Sequence, residues 1–515
     1  SSTITATGVT TYTYTGSGDL HNVSNWKDGS NNAPVDFTSD FQLFKINSNA
    51  TTTAPWTVSG TSSKVVVGDE THTGISLTIA SGSGITATMD VTDGNKVYVQ
   101  DVVLVAGSTT SYTMNFPNFG TLGDTSEVHY QNSGVNNALV KTPFTYGKLY
   151  IDGSGSGTVF FSGATNPTNH IVKTLFEVAA GSKAYFSEIS YYYMTLNSGA
   201  SANIYGTLKS AKVAGFVSSN VGTAASTFGS LQFIGAQALT LGPNSTIEFN
   251  RASSGTTQTI TPRTDYKNLV LSGLDNNKSF TGATTVSGNL TLNITGTSTS
   301  TLAANLTVNG VLNFTAGKMT TASNTLTIGA SGSITGAGTG WVIGNLKKAT
   351  ASSASPSFTY AIGDATNYTP LALTFSGATS AAGGLTASTA AGDHASVASS
   401  GLNPLKSVNR TYTLTNDTLA DFGTYNATFN YASTDNDSST TAANYAVRLY
   451  DGSSWSNLST SGTTTTTAAT ATGISSFGDF AIGEIITGPS VANQSICYGK
   501  TLADLSATGT AIKWY

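Results

Sequence analysis

Short alternations of apolar and polar residues recur through the middle of the chain. They read Asn268-Leu269-Val270-Leu271, Asn289-Leu290-Thr291-Leu292, Asn305-Leu306-Thr307-Val308 and Thr325-Leu326-Thr327-Ile328. Successive leucines, Leu269, Leu290, Leu306 and Leu326, lie 21, 16 and 20 residues apart. A period of two sends Leu290, Leu292 and Ile294 to one face and Thr291, Asn293 and Thr295 to the other. Gly or a Gly-Ser-Thr cluster follows each motif, and no helical period intervenes. A short strand recurring about every twenty residues without helices predicts a stacked β-solenoid.

The same text extends over residues 56–345, in segments such as Leu77-Thr78-Ile79, Val97-Tyr98-Val99 and Thr246-Ile247-Glu248-Phe249. This predicts a right-handed parallel β-helix of roughly thirteen to fifteen coils, about 60–70 Å long at ~4.8 Å per stacked strand. Before residue 250 the spacing is ragged, which predicts insertions. Residues 1–55 are less regular, with Trp26 inside and Trp56 at their border, and suit a cap over the first coil. In residues 346–486 the strands lengthen. Tyr425, Ala427, Phe429 and Tyr431 share one face, and Tyr445, Val447 and Leu449 alternate with Ala446 and Arg448 before an Asp451-Gly452 turn toward Trp455. This predicts an antiparallel β-sandwich as a separate domain. Residues 487–515 read as a linker at Gly488-Pro489 and the first strands of an immunoglobulin-like repeat, with Cys497 and Trp514. About 25 residues bury no core alone, so further domains are expected beyond Tyr515. The fold class is all-β throughout.

Composition narrows the function. Charged residues are 10% of 515, the net charge is −5, and hydrophobic content is 38%. An ordinary soluble domain carries about 25% charge. Polarity rests here on Thr, Ser, Asn and Gly, which suit strands and turns. Lysines and arginines are scattered, so no basic stripe exists for nucleic acid, and no run of 18 apolar residues exists for membrane insertion. One cysteine excludes a disulfide framework or a cysteine zinc site within these residues. The start, Ser1-Ser2-Thr3-Ile4-Thr5, has no signal-peptide pattern, so a leader is either already removed or not needed.

Particular segments resemble a known group. Tyr266-Lys267-Asn268-Leu269-Val270-Leu271-Ser272-Gly273, followed by Val286-Ser287-Gly288-Asn289-Leu290, is similar to the repeat text of giant modular secreted adhesins of Bacteroidota. So are Trp341-Val342-Ile343-Gly344-Asn345-Leu346, Tyr360-Ala361-Ile362-Gly363-Asp364 and Ser475-Ser476-Phe477-Gly478-Asp479-Phe480. Ile496-Cys497-Tyr498-Gly499 with Ile512-Lys513-Trp514-Tyr515 resembles the start of their serial Ig-like repeats, and Asn25-Trp26 with Pro34 resembles their N-terminal region. The resemblance covers residues 260–515 closely and 1–250 loosely. It implies a cell-surface adhesin placed outside the outer membrane, exported by the type IX secretion machinery and used in attachment or gliding. That export route implies a C-terminal sorting domain beyond residue 515. The implied partners are surface polymers or glycans.

Candidate chemistry is sparse. Asp and Glu total 27, and His21, His72, His129, His170 and His394 stand isolated in the text. The expected protein is therefore not an enzyme. The alternative is a polysaccharide-active β-helix enzyme or carbohydrate-binding module, which requires three or more carboxylates, or carboxylates with Lys or Arg, in a groove on one solenoid face. Tyr191-Tyr192-Tyr193 offers rings either to a sugar or to an aromatic ladder along the coils. Asp435-Asn436-Asp437 offers carboxylates Asp435 and Asp437 to Ca²⁺, or is a polar turn. No other cofactor is expected. Thr418, in Asp417-Thr418-Leu419, resembles an O-glycan acceptor of the same bacteria, as does Thr125 in Asp124-Thr125-Ser126. Cys497 reads as half of a disulfide with a residue beyond the chain end, or as a core thiol. Outward threonines also suit an ice-binding face, but spacings of 21, 16 and 20 give no flat regular array.

Overall fold

The alternating segments form strands: 52% of the chain is strand, with a β-solenoid of about 11 turns. The computed structural model describes residues 8–486 except 81–82, 101–102, 105–110, 114–117, 133–136, 141–143, 154–156, 162–168, 188–192, 219–228, 235–237 and 462–463. The linker and Ig-like start, 487–515, thus lie outside the described residues. Two compact units divide the chain, Ser1–Ser300 and Thr301–Tyr515.

In the first unit, parallel stacking begins inside the first 55 residues. Strand Thr10–Tyr14 pairs in parallel with Gln42–Ile46 and antiparallel with the short Trp26–Lys27. Lys64–Val67, Thr88–Val91 and Asn118–Leu122 continue the parallel sheet. Aromatic side chains fill this first end: Trp26 stacks on Trp56 at 5.3 Å and meets Phe44 edge-on at 5.2 Å. The buried indole Nε1 of Trp26 donates to Leu20 O at 2.8 Å, so its one polar atom is satisfied. A second sheet carries Ser76–Ile79, Lys96–Gln100, Glu127–Gln131, Thr145–Ile151 and Asn169–Val178 in parallel order.

Strict register makes inward columns. Val97, Val128, Leu149, Phe176 and Ala202 align strand over strand, and each is fully buried. Coil length varies with the loops between strands. Partners on adjacent coils are 31 residues apart at Gln100 and Gln131, 26 at Glu177 and Asn203, and 21 at Glu127 and Lys148. Long coils use up chain, which is why there are about 11 turns and not thirteen to fifteen. The asparagine of the repeat has a defined task. Asn268 Oδ1 accepts from Asn289 N, one coil on, at 3.2 Å. Gly288 before it is forced by space, since an added Cβ would lie 2.5 Å from Lys267 O.

In the second unit, Leu306–Val308, Met319–Ile328 and Val342–Thr350 stack in parallel. The asparagine rung recurs, with Asn305 Oδ1 accepting from Thr325 N at 3.0 Å. Strand Val342–Thr350 also pairs antiparallel with Gly383–Ala391. One strand therefore belongs both to the parallel ladder, which runs on to the short Ile362–Gly363, and to the sandwich, and the expected boundary at 345/346 falls inside it. Antiparallel strands Arg410–Asp417, Asp479–Ile485 and Tyr445–Tyr450 extend that sheet. The facing sheet holds Phe358–Tyr360, Leu371–Phe375, Tyr425–Asn430 and Ala468–Ile474. Tyr425, Ala427, Phe429 and Tyr431 are all buried, as their alternation predicts. Strand Tyr445–Tyr450 is buried on both faces, against its alternation. The reason is an overlying segment whose Val397 and Leu402 pack on Ala446 and Ala481 with Trp455 against them, while Arg448 Nε donates to Ser400 O at 3.1 Å.

The inward and outward assignment gives a direct test. Leu290→Ala, in the buried column, is expected to cost about 3 kcal/mol by denaturant unfolding. Its outward neighbour Thr291→Ala is expected to stay within about 0.5 kcal/mol of the parent. Equal costs would contradict the register.

Candidate functional site

The outward face of the first sheet forms a groove of about 940 Å³. Register places Leu43 beside Lys64, and Val66 between Lys45 and Asp90, so two apolar side chains sit among charged ones. Asp69, Glu70 and Asp93 come from the turns after the second and third of these strands. The carboxylates are mostly held. Asp69 Oδ1 accepts from the amides of Thr71 and His72 at 2.9 Å, and Asn47 Nδ2 donates to Oδ2 at 3.0 Å. Burial opposes its ionisation, but the bonds from His72, Thr71 and Asn47 win and hold it well below the usual carboxylate range. Asp93 is lowered by the Thr125 amide and hydroxyl, at 2.6 and 3.0 Å. Asp90 binds Lys64 and accepts from Thr121 N at 2.7 Å. Carboxylates with lysines thus share one solenoid face, the pattern required for a saccharide-handling site. A general acid in glycoside cleavage needs a raised pKa, whereas Asp69 and Asp93 are lowered.

A second concentration of charge lies on the next sheet. Glu127 accepts from Lys96 at 2.8 Å and Lys148 at 3.1 Å, one coil to either side, and from His129 Nε2 at 3.3 Å. His129 Nδ1 contacts Asp152 at 2.6 Å. The imidazole is sandwiched between Tyr98, at 4.5 Å, and Tyr150, at 4.4 Å and 4° from parallel. Burial and the neighbouring charges of Glu127, Glu177 and Asp152 push the Tyr150 hydroxyl up to about 12. Every ring face inside the stack is covered by another ring, and the charges compensate. This is a coil-to-coil staple.

The sequence missed this cluster. In Glu127-Val128-His129 the two chemical residues are two apart, which on a strand means the same face. That spacing was the available signal. Nor are the histidines isolated in space: His72 pairs with Asp69 at 2.8 Å and His394 with Asp479 at 3.2 Å.

The residues singled out from sequence are placed as follows. Tyr191 and Tyr192 lie outside the described residues, and Tyr193 is buried, 6% exposed, in the strand Tyr193–Leu196, so it presents no ring face to a ligand. Asp435 is buried and bound by Arg410, Nε to Oδ2 at 2.7 Å, while Arg410 Nη2 reaches Asp364 at 2.6 Å. Asp437 accepts from Ser407 N at 2.9 Å and Asn409 Nδ2 at 2.8 Å. A guanidinium stands where a calcium ion would balance Asp435. Among the described residues no group of three or more His, Cys, Asp or Glu is arranged for a metal. Thr418 is exposed in a left-handed backbone, φ 66°, and donates to Ala382 O at 2.9 Å. Thr125 is exposed as well. Cys497 lies outside the described residues. Among the described residues no helix is long and apolar enough to cross a membrane.

Comparison with known proteins matches the chain to no family model, no curated protein and no solved structure.

Three outcomes follow from the paired charges. Arg410→Ala is expected to destabilise the sandwich by about 3–5 kcal/mol, because Asp435 and Asp364 lose their cation. Millimolar calcium is expected to leave the melting temperature of the parent unchanged, and a clear rise would return Asp435 and Asp437 to a metal role. The Glu127 carboxyl is opposed by burial, yet bonds from Lys96, Lys148 and His129 lower its pKa below the ordinary glutamate value. The folded-state pKa lies below the unfolded one, so its stabilisation is full above the ordinary value and is lost as pH falls through the lowered one. Glu127→Gln is expected to cost about 1–2 kcal/mol at neutral pH and to converge with the parent in strong acid, as read by urea titrations across pH.

Proposed function

We propose that the chain serves in a secreted cell-surface adhesin that attaches to surface polymers or glycans. The observation that supports this best is how the outward faces are spent. Charges meet partners on the neighbouring coil, as in Lys96–Glu127–Lys148 and Lys209–Glu248, and the repeat strands turn Thr291, Asn293, Thr295 and Thr307 outward. Such a surface offers many hydroxyl and amide groups on a stiff support. Attachment then comes from many weak contacts summed along an area. Scarce lysine and arginine also give trypsin-like proteases few cleavage points, which suits an extracellular location. The sequence resemblance adds type IX export and a role in attachment or gliding to this reading.

The groove at Asp69, Asp90 and Asp93 favours a second reading, a polysaccharide-active enzyme. One experiment separates the two. The whole chain, immobilised, is expected to retain cells' surface polysaccharides or to bind glycan-coated surfaces without releasing fragments. Reducing ends or unsaturated products accumulating over hours would promote the enzyme. Absence of any surface or glycan binding, together with normal attachment by cells lacking the gene, would end the adhesin reading.

A further inference from the structure

We infer that the groove over the first sheet is the binding site for a linear, uncharged oligosaccharide laid across the strands, along the direction of coil stacking. This rests on the adhesin reading and names where, and to what class of polymer, attachment occurs.

Three independent observations carry it. The first is shape: the groove crosses three consecutive parallel strands, Gln42–Ile46, Lys64–Val67 and Thr88–Val91, and its volume of about 940 Å³ accommodates several sugar rings. The second is its floor. Leu43 and Val66 lie on the outward faces of neighbouring strands and give the groove an apolar floor among charged side chains. Apolar patches of that size suit the C–H faces of pyranose rings. The third is the state of the polar lining. Asp69, Asp90 and Asp93 are fixed by backbone amides and hydroxyls, so acceptors for sugar hydroxyls are already ordered before a ligand arrives. Asp93 Oδ2 and the exposed Glu70 have no hydrogen-bond partner among the described residues and remain to accept.

Charge selects the polymer. Both lysines of the lining face carboxylates, Lys45 with Asp69 at 3.8 Å and Lys64 with Asp90. Four carboxylates against two lysines leave the lining acidic. Uronate or sulfated chains would meet like charge, whereas neutral hexose or pentose chains meet acceptors and an apolar floor.

The test uses the complete chain with purified neutral hexaoses (cello-, manno- and xylo-series) and with hexagalacturonate, followed by calorimetry. At least one neutral hexaose is expected to bind, and hexagalacturonate at least about tenfold more weakly. Leu43→Arg, which fills the floor, and Glu70→Ala, at an exposed position, are each expected to weaken the neutral ligand about tenfold while the melting temperature stays unchanged. Unchanged affinity in both variants would overturn the groove as the site and leave the adhesin reading standing. Equal binding of hexagalacturonate would overturn the assigned ligand class. If no neutral hexaose binds, the groove proposal fails, and surface adhesion by the same chain still decides the adhesin reading separately.

Discussion

A strand in a solenoid leaves one edge of unpaired amides and carbonyls, and only the next coil can satisfy it. Everything else in this molecule follows from that constraint. Parallel register from Lys96 through Glu127, Lys148 and Leu175 fixes which residues stand above one another. Once fixed, the register builds the interior as columns and the exterior as rows. Where backbone pairing stops at a corner, a side chain continues it. Asn268 and Asn305 do so for the coil that follows, and Asn95 for the coil before it, accepting from Ile75 N at 2.9 Å.

Vertical repetition also governs charge. In a chain that is 10% charged, an isolated ion on a coil would stand above its own kind or above an amide. Here opposite charges are placed in line. Glu127 lies between Lys96 and Lys148, and Glu248 bonds Lys209 and, at 2.9 Å, Ser272. Aromatic rings follow the same rule, with Tyr98, His129 and Tyr150 in a single stack. Chemistry that is this internally satisfied serves rigidity. The groove at Glu70 and Asp93 departs from it, because acceptors there are left over.

Much of this was legible in the text. The alternation at Leu290-Thr291-Leu292 encodes burial directly, since a period of two has one meaning on a strand. The sandwich strand Tyr425–Asn430 was readable for the same reason. What was not readable depends on separation in sequence that local pattern does not carry. Asp152 meets His129, and Lys96 and Lys148 meet Glu127, because loops set coil lengths of 21 to 31 residues, and no period reveals that. Asp435-Asn436-Asp437 looked like a loop for a cation because its cation, Arg410, is 25 residues away on another strand. Both faces of Tyr445–Tyr450 are covered because a non-strand segment around Val397 lies over it, an arrangement that alternation cannot express.

Strand Val342–Thr350 carries a consequence of a different kind. It is hydrogen-bonded along one edge to Met319–Ile328 and along the other to Gly383–Ala391. Tension applied through the sandwich would reach the last parallel coils through bonds lying across the strand, loaded side by side and not one after another. A tether of Gly and Ser would stretch first and pass the force on late. This junction has no slack, so a pull on one part is felt by the other at once.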